Sequence, residues 1–180
     1  MIGTTFEGFE RGYPLIILFS IFLSYFMTHR IDFLIFAIII GLSSLLNQLL
    51  KEFVFKPIMD TNEFPIIGKG TRPSGAKDCS DFIDPDNRIS SSYGMPSGHA
   101  QTSAAFAVFM ILMIINERYS GKLKILKCSV ILIITFMVII SRVHFGCHTI
   151  QQVTVGSIIG SIVGYIGFMN LRSIKYYLKI

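Results

Sequence analysis

The residues of this chain with chemistry to offer are two histidines, three cations and a Ser-Gly pair. Gly94-Met95-Pro96-Ser97-Gly98-His99 stands between a long polar stretch and a sudden apolar run. Pro96 and Ser97 suit a helix start, proline for the first turn and serine to cap free amides. Gly98 lets a backbone come close to a ligand. The free N–H groups and positive dipole end of such a helix attract an anion, and His99 places a titratable proton beside it. Farther along, Arg142 directly follows an apolar block, and His148 comes after five more residues. A charge at that place is costly unless it faces partners or a wet cavity. Lys51 and Arg72 are the other cations. This set fits phosphoryl transfer, in which charge spreads over the equatorial oxygens and catalysis is mostly positioning and charge stabilisation. An arginine fork can hold two phosphate oxygens. One histidine can attack phosphorus while the other protonates the leaving oxygen.

The elements that must position these residues are apolar. Of 180 residues, 52% are hydrophobic and 15% charged, and the mean hydropathy is +0.61. A soluble domain carries nearer a quarter charged residues. The apolar residues fall into five blocks: Tyr13–Thr28, Phe33–Leu50, Ala100–Ile115, Ile125–Ile140 and Val153–Leu171. Five such blocks leave too little polar surface to cover them as a soluble bundle. The fold class expected is therefore all-α: a polytopic transmembrane helix bundle of about five spans, with one long extracytosolic loop. Residues 1–180 read as a single membrane domain, and 51–97 as its polar loop. No basic segment with a small-residue cleavage site opens the chain, so no removable signal peptide is expected. Three cysteines without a CxxC spacing give neither a disulfide framework nor a zinc site. A net charge of +5, scattered along the chain, gives no reason to expect a nucleic-acid partner.

Several blocks have about 16 residues, roughly 24 Å of helix, which fits a thin bilayer such as that of the endoplasmic reticulum. Glycines at 156, 160 and 164 fall on one helix face, as close helix packing needs. With five spans, residues 1–12, the long loop and 141–152 share one side. The turn at 29–32, the loop at 116–124 and the tail share the other. The short loops of that second side are rich in Lys and Arg (30, 118, 122, 124, 127, 172, 175, 179), which places it in the cytosol. Lys51, Arg72, Ser97, Gly98, His99, Arg142 and His148 then meet on the luminal or extracellular side.

At this point the residues resemble a known family. Arg72-Pro73, Pro96-Ser97-Gly98-His99, and Ser141-Arg142 followed by His148 resemble, in that order, the three signature motifs of the type 2 phosphatidic acid phosphatase (PAP2) superfamily. The resemblance covers roughly residues 40–165. Two details resemble its dolichyldiphosphatase-like branch: Tyr93-Gly94-Met95-Pro96-Ser97 with His99-Ala100-Gln101, and Ser141-Arg142-Val143 with His148-Thr149 and Gln152-Val153. The resemblance implies a hydrolase of lipid phosphates, needing no metal and no cofactor, that works through a phosphohistidine. His148 would be the nucleophile, His99 the general acid, and Lys51, Arg72, Ser97, Gly98 and Arg142 the phosphate ligands. Its substrate would be a polyisoprenyl (dolichyl-type) diphosphate, hydrolysed to the monophosphate. The setting would be the endoplasmic reticulum with a luminal site, or a plasma membrane with an extracellular site in a bacterium. Partners are the lipid diphosphate and membrane lipids; nothing in the sequence fixes an oligomeric state.

Two positions depart from the superfamily pattern. An orienting aspartate is usual four residues after the nucleophilic histidine; here Gln152 stands there, able to accept an imidazole N–H but not to neutralise an imidazolium. The lysine expected seven residues before Arg72 is replaced by Pro65, so Lys51 serves if residues are inserted, with Lys56 and Lys69 as rivals. Alternatives to the hydrolase of isoprenyl diphosphates are a broader lipid phosphate phosphatase acting on phosphatidic acid, and a PAP2-like protein that binds lipid without turnover. A channel is disfavoured, because the polar residues gather at one face rather than at the bilayer midplane. His144, four before His148, reads as a pocket wall rather than a metal ligand. Cys79 and Cys147 read as two free thiols, with a disulfide as the alternative, because the sequence does not fix their separation. Asp78, Asp81, Asp84 and Asp86 read as a solvated loop that could cover the entrance.

Overall fold

The computed structural model describes residues 12–59, 62–76, 79, 90 and 92–178, apart from the side chain of Leu178. The N-terminal stretch up to Arg11, the acids Asp78, Asp81, Asp84 and Asp86, and Lys179 lie outside the described residues. Helix α1 spans Tyr13–Thr28 with Pro14 in its first turn, and His29 ends it in the left-handed region. Helix α2 spans Ile31–Leu49. The chain then stays helical through a π-helical turn, Leu50–Phe55, and one further α turn, α3, Lys56–Met59. A small antiparallel hairpin follows, β1 Glu63–Phe64 against β2 Gly68–Lys69, in register Glu63 to Lys69. Helices α4 (Gly98–Asn116), α5 (Gly121–His144) and α6 (Ile150–Leu178) complete the molecule.

The result is a polytopic helical bundle. Four helical stretches are long and apolar enough to cross a bilayer: 31–59, 98–116, 121–144 and 150–177. Helix α1, at 16 residues, is shorter. The helices overrun the apolar blocks because Lys, Glu and Arg end hydrophobicity without ending helix propensity. Lys51 and Glu52 therefore lie in the helix and not in a polar loop, and Lys56 pairs with Glu52 one turn away at 2.8 Å. Helix length does not single out a thin bilayer: stretches of 19 to 29 residues correspond to roughly 28–44 Å.

Helix α4 lies at the centre, packed on α6, α5 and α2. Phe36 of α2 stacks on Phe109 of α4 with ring centroids 3.8 Å apart, and Phe168 of α6 meets Phe109 edge-on. Ile17, Ile21, Ile40, Val138 and Leu171 fill in around them. The contact between α4 and α6 is made backbone to backbone. A Cβ on Gly156 or Gly164 would stand 2.5 Å from the carbonyl oxygen of Ser97 or Ala105, and one on Gly160 would collide with Gln101. The three glycines thus do what their spacing suggests. Helix α5 is different: Ile125, Leu132, Ile133 and Phe136 are exposed, a surface that suits hydrocarbon and not water.

One end of the bundle is held by charge. Buried Asp32 accepts from Arg30 at 2.7 Å and from Lys175 at 2.9 Å, and Arg30 also pairs with Glu117. This joins the α1–α2 turn, the end of α4 and the last turns of α6, the stretches assigned to the cytosolic side. The other end holds the end of α2, the start of α4 and the α5–α6 junction.

Candidate active site

At that second end the start of α4 is built tightly. Ser97 is the N-cap residue, with extended backbone (φ −68°, ψ 119°), but its side chain makes no capping bond. Its Oγ is buried and has no hydrogen-bond partner among the described residues. The serine is therefore a spare donor at a helix N-terminus and not the cap expected from sequence. Pro96 precedes the N-cap and does not sit in the first turn, and its bond to Met95 is cis. The Ser97 N–H donates to the Gln152 carbonyl at 3.1 Å, which ties the α4 start to α6.

His148 sits in the turn between α5 and α6. The N–H groups of Cys147 and His148 both donate to the Arg142 carbonyl at 3.0 Å, closing the turn. The ring is buried, and its Nδ1 lies 2.9 Å from Gln152 Oε1. The amide orientation follows from its surroundings. Gln152 Nε2 donates to the carbonyls of Thr71 (2.7 Å) and Lys69 (3.1 Å), and the Thr149 N–H donates to Oε1 (3.3 Å). A flipped amide would set oxygen against carbonyl oxygens. Because Oε1 can only accept, His148 Nδ1 carries the proton and Nε2 holds the lone pair. Burial first, and then the positive charge of Arg72, holds the His148 pKa well below its ordinary value of 6.5; Lys51 and His99 push the same way. The bond to Gln152 opposes the shift without cancelling it.

Lys51, Arg72, Gly98, His99 and His148 line one cavity of about 480 Å³. Arg72, three residues past the hairpin, is held there by Ser92 and Cys147: its Nε donates to the Ser92 carbonyl (3.1 Å), Nη2 to Ser92 Oγ (2.8 Å) and Nη1 to the Cys147 carbonyl (3.0 Å). Three predicted residues, Ser97, Arg142 and Gln152, are deeply buried and are not among the lining residues. Arg142 belongs to the last turn of α5, and its guanidinium donates to the Cys79 carbonyl (3.2 Å) and to Ser141 Oγ (3.3 Å). Of the three candidate lysines, Lys51 reaches the cavity. Lys56 is paired with Glu52 and Lys69 with Glu63, both in exposed positions. The π-helical turn carries Lys51, and such turns are frequent at functional sites.

Two expectations need correction. Cys79 and Cys147 are not free thiols: they form a disulfide, their Cα atoms 6.2 Å apart, and Cys128 is the free cysteine. The turn after Phe145 sets Cys147 against Cys79, a proximity that the sequence leaves open. His144 is not a pocket wall. It is exposed, turned onto the Phe145 ring, and helix α5 ends there, so no helical pair with His148 exists.

Sequence reasoning missed the polar scaffold on α2 and α4. Asn47 donates to Gln101 Oε1 (2.8 Å) and to the Pro96 carbonyl (3.3 Å), and Gln101 donates to the Ser43 carbonyl (2.8 Å). These buried amides hold the loop before His99 against α2. The signal was present: amides inside apolar spans are costly and therefore usually employed. Ser44, Gln48 and Thr102 also line the cavity.

Comparison with known proteins gives the same direction. The family model described as the PAP2 superfamily matches residues 14–173, wider than the stretch its motifs mark. Dolichyldiphosphatase 1 of Dictyostelium discoideum is 41% identical over 80 residues, covering 43% of this chain and 35% of that protein. Lipid phosphate phosphatase epsilon 1, chloroplastic, of Arabidopsis thaliana is 33% identical over 78 residues, covering 43% of this chain and 28% of that protein. The matching segments thus span about a third of these relatives' lengths. No solved structure matches significantly.

Proposed function

Because the chain belongs to the PAP2 superfamily, we propose that it is a membrane-embedded lipid phosphatase acting on a polyisoprenyl diphosphate. The observation that carries this reading is the shared cavity, in which His99, His148, Lys51 and Arg72 meet beside the α4 N-terminus. The terminal phosphate sits among Lys51, Arg72 and the first amides of α4, with the spare Ser97 hydroxyl buried at the same helix start. His148 Nε2 attacks phosphorus as the bond from phosphorus to the lipid-side oxygen breaks, and His99 gives that oxygen its proton. Water then attacks the phosphohistidine, with His99 taking the proton, and inorganic phosphate leaves. Arg142 supports the turn that carries His148 and reinforces the positive field. None of these steps calls on a metal ion or cofactor.

The relative named dolichyldiphosphatase supports a diphosphate on a long isoprenyl chain. The relative named lipid phosphate phosphatase supports the second reading, a broader enzyme that also takes phosphatidic acid. Two observations support an extracytosolic site, in the lumen of the endoplasmic reticulum or its topological equivalent. Lys and Arg crowd the opposite end, and the Cys79–Cys147 disulfide lies at this one. The test is phosphate release by protein purified in detergent with chelator present. Wild type should hydrolyse polyisoprenyl diphosphate faster than phosphatidic acid, and His148→Ala should not turn over. Equal rates favour the broader reading; release no greater than that of His148→Ala overturns both.

A further inference from the structure

We infer that the Cys79–Cys147 disulfide is a positioning element of the catalytic site, setting both arginines and the nucleophile at once. This rests on the phosphatase reading above. Each half of the bridge carries a carbonyl that accepts from an arginine of a different motif. Arg72 Nη1 donates to the Cys147 carbonyl at 3.0 Å, and Arg142 Nη1 donates to the Cys79 carbonyl at 3.2 Å. The next residue after Cys147 is His148. The bridge therefore closes a ring of Cys147, the disulfide, Cys79 and Arg142, whose carbonyl accepts from the N–H groups of Cys147 and His148 at 3.0 Å, and Arg72 is attached to that ring at the Cys147 carbonyl. Both sulfurs belong to buried residues. The covalent link fixes the distance between the Cys79 carbonyl, which accepts from Arg142, and the Cys147 carbonyl, which accepts from Arg72. Misplacing Arg72, the arginine that lines the cavity, or His148 by about 1 Å costs on the order of a hundredfold in rate.

The disulfide joins residues 68 apart in sequence, so it also restrains the unfolded chain. A purely structural bridge and a positioning bridge are separated by coupling to Arg72. Four proteins are compared in detergent on a short-chain polyisoprenyl diphosphate: wild type, Arg72→Lys, Cys79→Ser/Cys147→Ser, and the triple variant. The double serine variant should lose roughly tenfold or more in kcat with a much smaller change in KM. Adding Arg72→Lys to it should cost far less than the same change costs wild type. The acid limb of kcat/KM should also move up in pH. Burial and Arg72, with Lys51 and His99, hold the His148 pKa down against Gln152, Glu52 shares the cavity, and a loosened Arg72 relaxes that hold. Strictly additive losses, or an unchanged kcat, overturn the inference. If the double serine variant does not fold, wild type is reduced with excess dithiol. That reagent takes up the bond as a cyclic disulfide and raises the titratable thiols from one to three. Activity should fall in step with the new thiols, and full activity at three thiols overturns the inference. Wild-type protein without turnover sinks the phosphatase reading itself, whereas an active wild type with an indifferent disulfide sinks only this inference.

Discussion

Gln152 shows how one side chain decides the chemistry of another. Its oxygen fixes the protonated Nδ1 of His148 because its nitrogen is committed to the Thr71 and Lys69 carbonyls. An acidic residue, usual for the superfamily here, cannot simply be restored. Gln152→Glu would set a carboxylate oxygen against those carbonyls and leave them without a donor, a cost of about 1–3 kcal/mol. The expected outcome is a lower melting temperature and a lower kcat, despite the charge now facing the imidazole. A Gln152→Glu protein as stable as wild type and faster would contradict this assignment. The low pKa of His148 gives a second prediction. Its lone pair stays available at acid pH, so kcat/KM should hold as pH falls through 6.5 and drop only well below it. The same shift acts on stability. Below about pH 6.5 the unfolded chain binds a proton that the folded protein does not, so unfolding becomes easier as pH falls. Denaturant midpoints at pH 7.5 and 5.5 should show it, and His148→Gln should flatten the difference.

At the scale of elements, two structures carry the site: the π-helical turn of Leu50–Phe55 and the glycine contact between α4 and α6. The turn gives Lys51 to the cavity and leaves Lys56 to an exposed pair that water and salt screen. Lys51→Ala should therefore lower kcat/KM on the order of a hundredfold, while Lys56→Ala and Lys69→Ala leave it nearly unchanged; equal losses for all three would remove Lys51 from its role. Gly160→Ala forces a Cβ into the Gln101 backbone, and overpacking of this kind costs about 1–3 kcal/mol. Thermal melting should detect it, with Gly121→Ala, where a Cβ meets nothing within 4 Å, as the silent control. The sequence made this contact legible, since glycines four apart on an apolar helix have few other uses. It also made the α4 start legible, because Pro-Ser-Gly-His changes composition abruptly. It did not reveal that the chain stays helical past α2 to Met59, since hydropathy ends at Lys51 although helix propensity does not. Nor did it separate Lys51 from Lys56 and Lys69, since what distinguishes them is that Lys51 lines the cavity while the other two sit in exposed ion pairs.

For the whole molecule, the helices bring chemistry from four distant stretches to one end and charge pairing to the other. Alternating blocks were enough to foresee which loops share an end. The Asp32 cluster, the scaffold of Asn47 and Gln101, and the disulfide were not foreseen, because each depends on distances between helices that no local pattern encodes. The orientation makes its own prediction. In a Cys128→Ser background and sealed vesicles of known sidedness, a membrane-impermeant maleimide should label Glu63→Cys only from the extracytosolic face and Lys122→Cys only from the cytosolic face. The reverse pattern would invert the topology. Phosphatase chemistry in this molecule requires that the two ends of the polar constellation, α4 and the α5–α6 turn, work on one phosphorus atom. Trapping is its most direct test: protein mixed with polyisoprenyl diphosphate labelled in the terminal phosphate, then quenched in alkali during turnover. The predicted result is acid-labile label on the peptide containing His148, none in His148→Ala, and lower occupancy at early times in His99→Ala, where the leaving oxygen lacks its proton. Turnover with no label on His148, or label that survives His148→Ala, would contradict it.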